Sequence, residues 1–248
     1  MVIKFWNGNK SSPRQQYELE LLQLIASTMD DASGRSITII DDRQDYPKAE
    51  DEGRVFDNGT DILVTVKGNK KFDDSAFIEI NHSLVKELLG QRILFIRTAE
   101  RAQFHSPDAI RDKRVGVPKT WADADLFRHN GFNVIEEGDF ETIFDLLADN
   151  EFDFVCFGAN EALDIYRQRI QDQHDISMVE DLMIHYPFPL VFYVNAQQPE
   201  LAERVGHALK TITHNGKFDD LYNQYFKGIE TKLALANRQI ISLRNPQI

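Results

Sequence analysis

Val2-Ile3-Lys4-Phe5-Trp6, the turn Asn7-Gly8-Asn9, and a run from Ser12-Pro13 through Tyr17, Leu21, Leu24, Ile25 and Met29 form the stretch on which the fold turns. The first five residues are largely apolar and favour a strand. Asn-Gly marks a turn. Serine caps a helix and proline suits its first position, so a helix is predicted from Ser12 with its apolar residues at helical spacing. Ser33-Gly34 breaks it. Ser36 to Ile40 reads as a second strand, Lys48 to Arg54 as a helix, and Asp57-Asn58-Gly59 as a turn into a third strand, Asp61 to Val66. The order β-α-β-α-β predicts a mostly parallel sheet flanked by helices.

Working outward, the pattern recurs. Strands are predicted at Arg92 to Ile96, Arg114 to Val117, Phe132 to Ile135 and Phe152 to Phe157. A short helix or turn is predicted at Pro107 to Arg111, and helices at Ala122 to His129, Asp139 to Leu147 and Gly158 to Arg169. Leu190 to Val194 is a last strand, followed by helices at Pro199 to Thr213, Phe218 to Phe226 and roughly Glu230 to Ile240. The chain has 248 residues, enough for two lobes with cores of their own, and no repeat or low-complexity linker divides it.

Composition narrows the function. The formal charge of −12 disfavours nucleic acid, whose phosphates an acidic surface repels. No apolar run approaches the roughly 18 residues of a membrane span. The single cysteine, Cys156, sits among Phe154, Val155 and Phe157, so it reads as a buried small hydrophobe. No phosphate-binding glycine loop, nucleophile elbow or zinc helix motif occurs, and the seven histidines lack metal-ligand spacing. No catalytic residue, metal or cofactor is therefore assigned, and no enzyme is expected. The amino terminus has no basic segment, apolar core or cleavage site. Either the protein is cytoplasmic, or a leader was removed and replaced by Met1.

The chain resembles type II periplasmic solute-binding proteins, in the group that holds the family 3 extracellular solute-binding proteins. Residues carrying the resemblance are Leu89-Gly90-Gln91-Arg92-Ile93-Leu94-Phe95-Ile96-Arg97 and Ile110 through Arg114-Val115-Gly116-Val117. Asp139 to Leu147 with Phe152-Asp153-Phe154, Glu180-Asp181-Leu182 through Phe192-Tyr193-Val194, and Asn215-Gly216-Lys217 between two helices complete it. It is weakest over residues 41–60. Trp121-Ala122-Asp123, Phe157-Gly158-Ala159-Asn160-Glu161, Tyr186-Pro187-Phe188-Pro189 and Ile241 to Pro246 resemble a subgroup known as transporter substrate-binding-domain proteins. Ala122 stands where the subgroup usually has proline, and Phe157 where it has arginine. The arginine and aspartate with which the family grips amino acids are also missing, so amino-acid binding does not follow from the resemblance.

The resemblance implies an α/β, two-lobed periplasmic-binding-protein-like fold, each lobe a mixed, mostly parallel sheet, with two hinge crossings. Residues 1–94 plus 193–248 are expected to form the first lobe and 95–192 the second. It further implies a periplasmic monomer that closes on a small polar molecule, amino-acid-like or another charged metabolite, for an ABC-type permease. Rival readings are an orphan or signalling sensor module and an enzyme on the same scaffold.

Ligands in open α/β sheets sit beyond the carboxyl ends of strands. That rule nominates Trp6, Asn7, Thr65, Lys67, Lys70, Arg97, Lys119, Thr120, Trp121, Asp123, Phe157, Asn160, Glu161 and Tyr186 as ligand-binding residues. Each polar one has a structural alternative: Asp123 as a helix cap, Glu161 as a helix-dipole partner, Arg97 as a hinge ion pair. Trp6 and Tyr186 have packing as theirs.

Overall fold

The computed structural model describes residues 1–33, 36–172 and 175–248, and the side chains of all of these but 30–33. The helix break expected at Gly34, and His174, lie outside the described residues. In chain order the strands are β1 (Val2–Trp6), β2 (Thr38–Asp42), β3 (Ile62–Val66), β4 (Phe77–Ile80), β5 (Gln91–Arg97), β6 (Arg114–Val117), β7 (Asn133–Glu136), β8 (Phe154–Gly158), β9 (Ile176–Met178), β10 (Leu182–His185), β11 (Leu190–Asn195) and β12 (Gln239–Ser242). The helices are α1 (Ser12–Ser33), α2 (Ala49–Gly53), α3 (Asp123–His129), α4 (Ile143–Ala148), α5 (Ala162–Ile165), α6 (Pro199–His214), α7 (Lys217–Phe226) and α8 (Ile229–Lys232).

The chain divides into two compact units. The first holds Met1–Leu84 and Leu190–Lys227, the second Val85–Pro189 and Gly228–Ile248. It therefore passes between them three times, not twice. The boundaries differ from the expected ones for two reasons. Strand β5 is the centre of the second sheet, its residues Arg92 to Ile96 paired with β8, so it cannot belong to the first lobe. The last residues also return to the second unit. A helix over 230–240 is predicted, but Ala234 takes a positive φ of 48° and stops it. The β-branched pair Ile240-Ile241 then adds in parallel to β10, with Gln239 N–H donating to Asp181 O at 2.7 Å.

In the first unit the sheet runs β2-β1-β3-β11-β4. Strands β1, β2 and β3 are parallel, and β11 is antiparallel to both β3 and β4. Trp6, Val55, Phe56, Leu63, Phe72, Val191 and Tyr193 form a buried cluster on this sheet.

In the second unit the order is β12-β10-β5-β8-β6-β7, with β9 beside β5. Strands β6, β7 and β8 are parallel, and β5 runs against β8. Strand β8 is buried throughout, as a central strand of an α/β layer should be. The expected helix at 158–169 begins later, at Ala162, and passes into a π-helical turn over Tyr166–Ile170. The helix expected from Asp139 begins at Ile143; Asp139 accepts from the N–H of Glu141 and Thr142 at 3.0 and 2.9 Å in the turn that precedes it.

Candidate functional site

The direction of β5 decides which residues reach the carboxyl edge of the second unit. Because β5 opposes β8, Arg92 lies beside Gly158 while Ile96 lies beside Phe154. The carboxyl ends of β6 and β8 thus share an edge with the start of β5. Arg97 is at the other end, where it donates to Leu147 O and Phe152 O and pairs with Glu100 at 2.8 Å. Arg97 is corrected from a ligand residue to a structural one. Arg92, at the start of the same strand, occupies the edge instead.

Arg92 is 2% exposed. Its guanidinium donates to Leu89 O and Cys156 O, each at 3.2 Å, and its Nη2 lies 2.7 Å from Asp123 Oδ1. The Tyr186 hydroxyl donates to the same oxygen. The rings of Tyr186 and Phe188 lie 5.6 and 5.8 Å from the Arg92 Cζ. Burial opposes the arginine's charge, yet Asp123 foremost holds its pKa above the usual arginine value. Burial also pushes the Tyr186 phenol well above its ordinary range. This close packing requires Gly90, where a Cβ would stand 2.1 Å from Tyr186 O. Asp123 and Tyr186, nominated as ligand contacts, are thus spent on Arg92, with Tyr186 fully buried.

Around this triad the edge carries aromatic and amide groups. Trp121 stacks on Phe140 at 6.4 Å and 15°, and meets Phe157 edge-on at 6.0 Å. Trp121 and Phe140 are half-buried, whereas Phe157 is fully buried and is a core ring, not a ligand contact. Phe140, unnominated, is held from its own side by Arg169, 5.1 Å above the ring. Asn160 is 7% exposed, and its side-chain oxygen is buried without a hydrogen-bond partner. That oxygen folds over Gly158, where any Cβ would lie 2.4 Å from it. Glu161 is half-buried just before α5. Lys119 and Thr120 are exposed. Thr120 takes a φ of 72° and its N–H donates to Glu136, while Lys119 lies 3.5 Å from Glu137.

The corresponding edge of the first unit is closed by its own chain. Trp6 is 2% exposed, and its indole N–H donates to Gln44 O at 2.9 Å. Asn7 is fully buried and donates to Gln15 O and Asp41 Oδ1, each at 3.0 Å. Asn9 ties the segment down further, bonding Tyr46 at its N–H and its carbonyl, and Glu52. Trp6 and Asn7 are therefore core and scaffold groups. Thr65 is buried and accepts from Asn69 Nδ2 at 2.8 Å. Lys67 pairs with Glu79 at 2.9 Å, and Lys70 is exposed. Sequence reading passed over Glu18, which is fully buried and takes Lys10 at 2.6 Å and Arg14 at 2.7 Å. Its one signal is an acid four residues from an arginine, beside Tyr17 on the apolar side of α1.

A groove of about 980 Å³ also opens in the first unit, lined by β4 and α6 with Ile80, His82 and His207 among its residues. None of the nominated residues lines it. Among the described residues, no helix is long and apolar enough to cross a membrane and no group of three or more His, Cys, Asp or Glu is placed to hold a metal.

No family model and no curated protein matches the chain. Solved structures do. The GluR0 ligand-binding core from Nostoc punctiforme in complex with L-glutamate is 15% identical, with a TM-score of 0.59 over 91% of this chain and 99% of that one. An ancestral arginine-binding protein bound to glutamine is 15% identical, with a TM-score of 0.64 over 91% and 97%. A histidine kinase sensor domain with similarity to periplasmic binding proteins is 14% identical, with a TM-score of 0.64 over 91% and 96%. These define a class of ligand-binding scaffolds. The chain has the two-lobed periplasmic-binding-protein-like fold of these structures.

Proposed function

We propose that the chain is an extracytoplasmic receptor that captures a small polar solute by hinge closure and does no chemistry on it. The observation that carries this reading is the carboxyl edge of the second unit. There the half-buried Trp121–Phe140 stack lies at the edge that also carries Asn160, whose buried side-chain oxygen lacks a partner. Small-molecule sites combine apolar rings with a few placed polar groups in this way. A ligand shifts a hinge equilibrium only by its better binding to one state, and a buried acceptor without a partner is a group on which such a preference can be built. Delivery to an ABC-type permease is the partner role proposed. The likeness to a kinase sensor domain favours a second reading, in which the same closure is reported to a signalling partner.

A thermal-melt screen of unfolded and refolded protein tests the receptor reading. Probes are amino acids, short peptides, polyamines, sugars, organic acids and nucleosides. A solute at about 100 times its dissociation constant adds roughly 2.7 kcal/mol and shifts the melt by several degrees. The expected result is one responsive class whose effect is reduced in Trp121→Ala. Silence across all classes overturns solute capture and leaves the sensor reading.

A further inference from the structure

We propose that Asp123 sets the charge selectivity of the second unit: its carboxylate is the built-in occupant of an anion seat made by Arg92 and Tyr186. A solute's carboxylate is refused there, and a cationic or uncharged group is taken at the adjoining edge. The inference rests on the receptor reading.

The seat has the parts a carboxylate site needs. A guanidinium fixed on two carbonyl oxygens supplies charge, and a phenol supplies a second donor. Both donors converge on Asp123 Oδ1. Arg92, Tyr186 and Asp123 are 2%, 0% and 5% exposed, so the pair is satisfied inside the protein and projects no net charge. What remains at the edge favours donors and cations. The side-chain oxygen of Asn160, a group more than nine-tenths buried, is an acceptor with no donor. Arg92 Nε is unpartnered too, but it belongs to the cation that Asp123 already balances. The Phe140 ring already holds the cation of Arg169 over its face, so the aromatic surface left to a solute at this edge is that of the half-buried Trp121.

The test uses the full chain and acetate, in melts run against chloride at equal ionic strength. Wild-type protein is expected to melt alike in both salts. Asp123→Ala is expected to melt lower in chloride and to recover by about 3 °C in acetate, as a small carboxylate fills the seat. An Asp123→Ala protein that folds and ignores acetate overturns the proposal, as does wild-type protein stabilised by acetate to the same extent. If Asp123→Ala does not fold in chloride, refolding yields replace melts: several-fold more soluble protein in acetate supports the seat, and equal yields sink it. Asp123→Asn, isosteric and neutral, keeps the seat filled, so it is expected to melt lower than wild type in both salts and to ignore acetate; recovery of Asp123→Asn equal to that of Asp123→Ala would show a general salt effect and overturn the seat. Failure of the receptor reading looks different. It leaves wild-type protein silent toward every solute, methylammonium and putrescine included, while the acetate response of the variant persists. A wild-type hit on a monocarboxylate, lost in both Trp121→Ala and Asn160→Ala, overturns the selectivity alone.

Discussion

Arg92 and Asp123, 31 positions apart in sequence, meet at 2.7 Å with 2% and 7% of their side chains exposed. Truncating one member of a buried pair strands the other charge, at a cost of about 3–5 kcal/mol. Asp123→Ala is therefore expected to lose stability on that scale in chemical denaturation. Arg92→Met with Asp123→Leu, which removes both charges, should lose clearly less. Equal losses in the single and double variants would show that packing, not the ion pair, holds this edge.

Trp121 is stacked but not sealed in. Its replacement by alanine is expected to weaken a solute bound at this edge by about 1–3 kcal/mol, with the fold retained. Titration calorimetry with the solute found by screening measures it. Unchanged affinity removes Trp121 from the site.

Glu18 serves two cations, so its neighbours are not equivalent. Glu18→Gln leaves Lys10 and Arg14 without their shared carboxylate and should cost about 3–5 kcal/mol. Lys10→Met leaves Glu18 paired with Arg14 and should cost less. Burial already lowers the Lys10 pKa, which puts this ammonium under strain to lose its proton. Urea midpoints of the two variants give the ranking, and the reverse order would refute it.

Burial pushes the Cys156 thiol from 9.0 up to about 11. Below pH 9 the thiol is protonated in both states and contributes no pH dependence. Between pH 9 and 11 the unfolded chain releases the proton and the folded one keeps it, so stability falls as pH rises. The stability difference between wild type and Cys156→Ala should shrink over that window, since the buried tyrosines affect both alike. Native protein should also resist alkylation by iodoacetamide at pH 8. Rapid labelling of folded protein would contradict the burial.

Much of the edge was legible as positions and little of it as roles. The strand-end rule found Trp121, Asp123 and Asn160 because strand and helix periodicities mark where β6 and β8 stop. It could not tell that Asp123 turns inward to Arg92, since no local pattern announces a partner 31 residues away. Phe140 fell inside an expected helix and was not nominated, because its contact with Trp121 crosses from one connection to another. Trp6 and Asn7 went wrong for a related reason. The segment that closes over them, Arg43 to Glu52, is polar and weakly patterned, and its bonds to Trp6 and Asn9 are long-range.

The sequence by itself determined the alternation of strands and helices, the two-sheet α/β architecture and the absence of the familiar catalytic motifs. These follow from local propensity and from burial at fixed period, which each segment carries alone. The tertiary structure decided strand direction and order. Antiparallel β5 put Arg92 rather than Arg97 at the edge, and parallel addition of β12 brought the chain's end back to the second unit. Those outcomes depend on hydrogen bonds and ion pairs between residues far apart in sequence, whose energies no single segment contains.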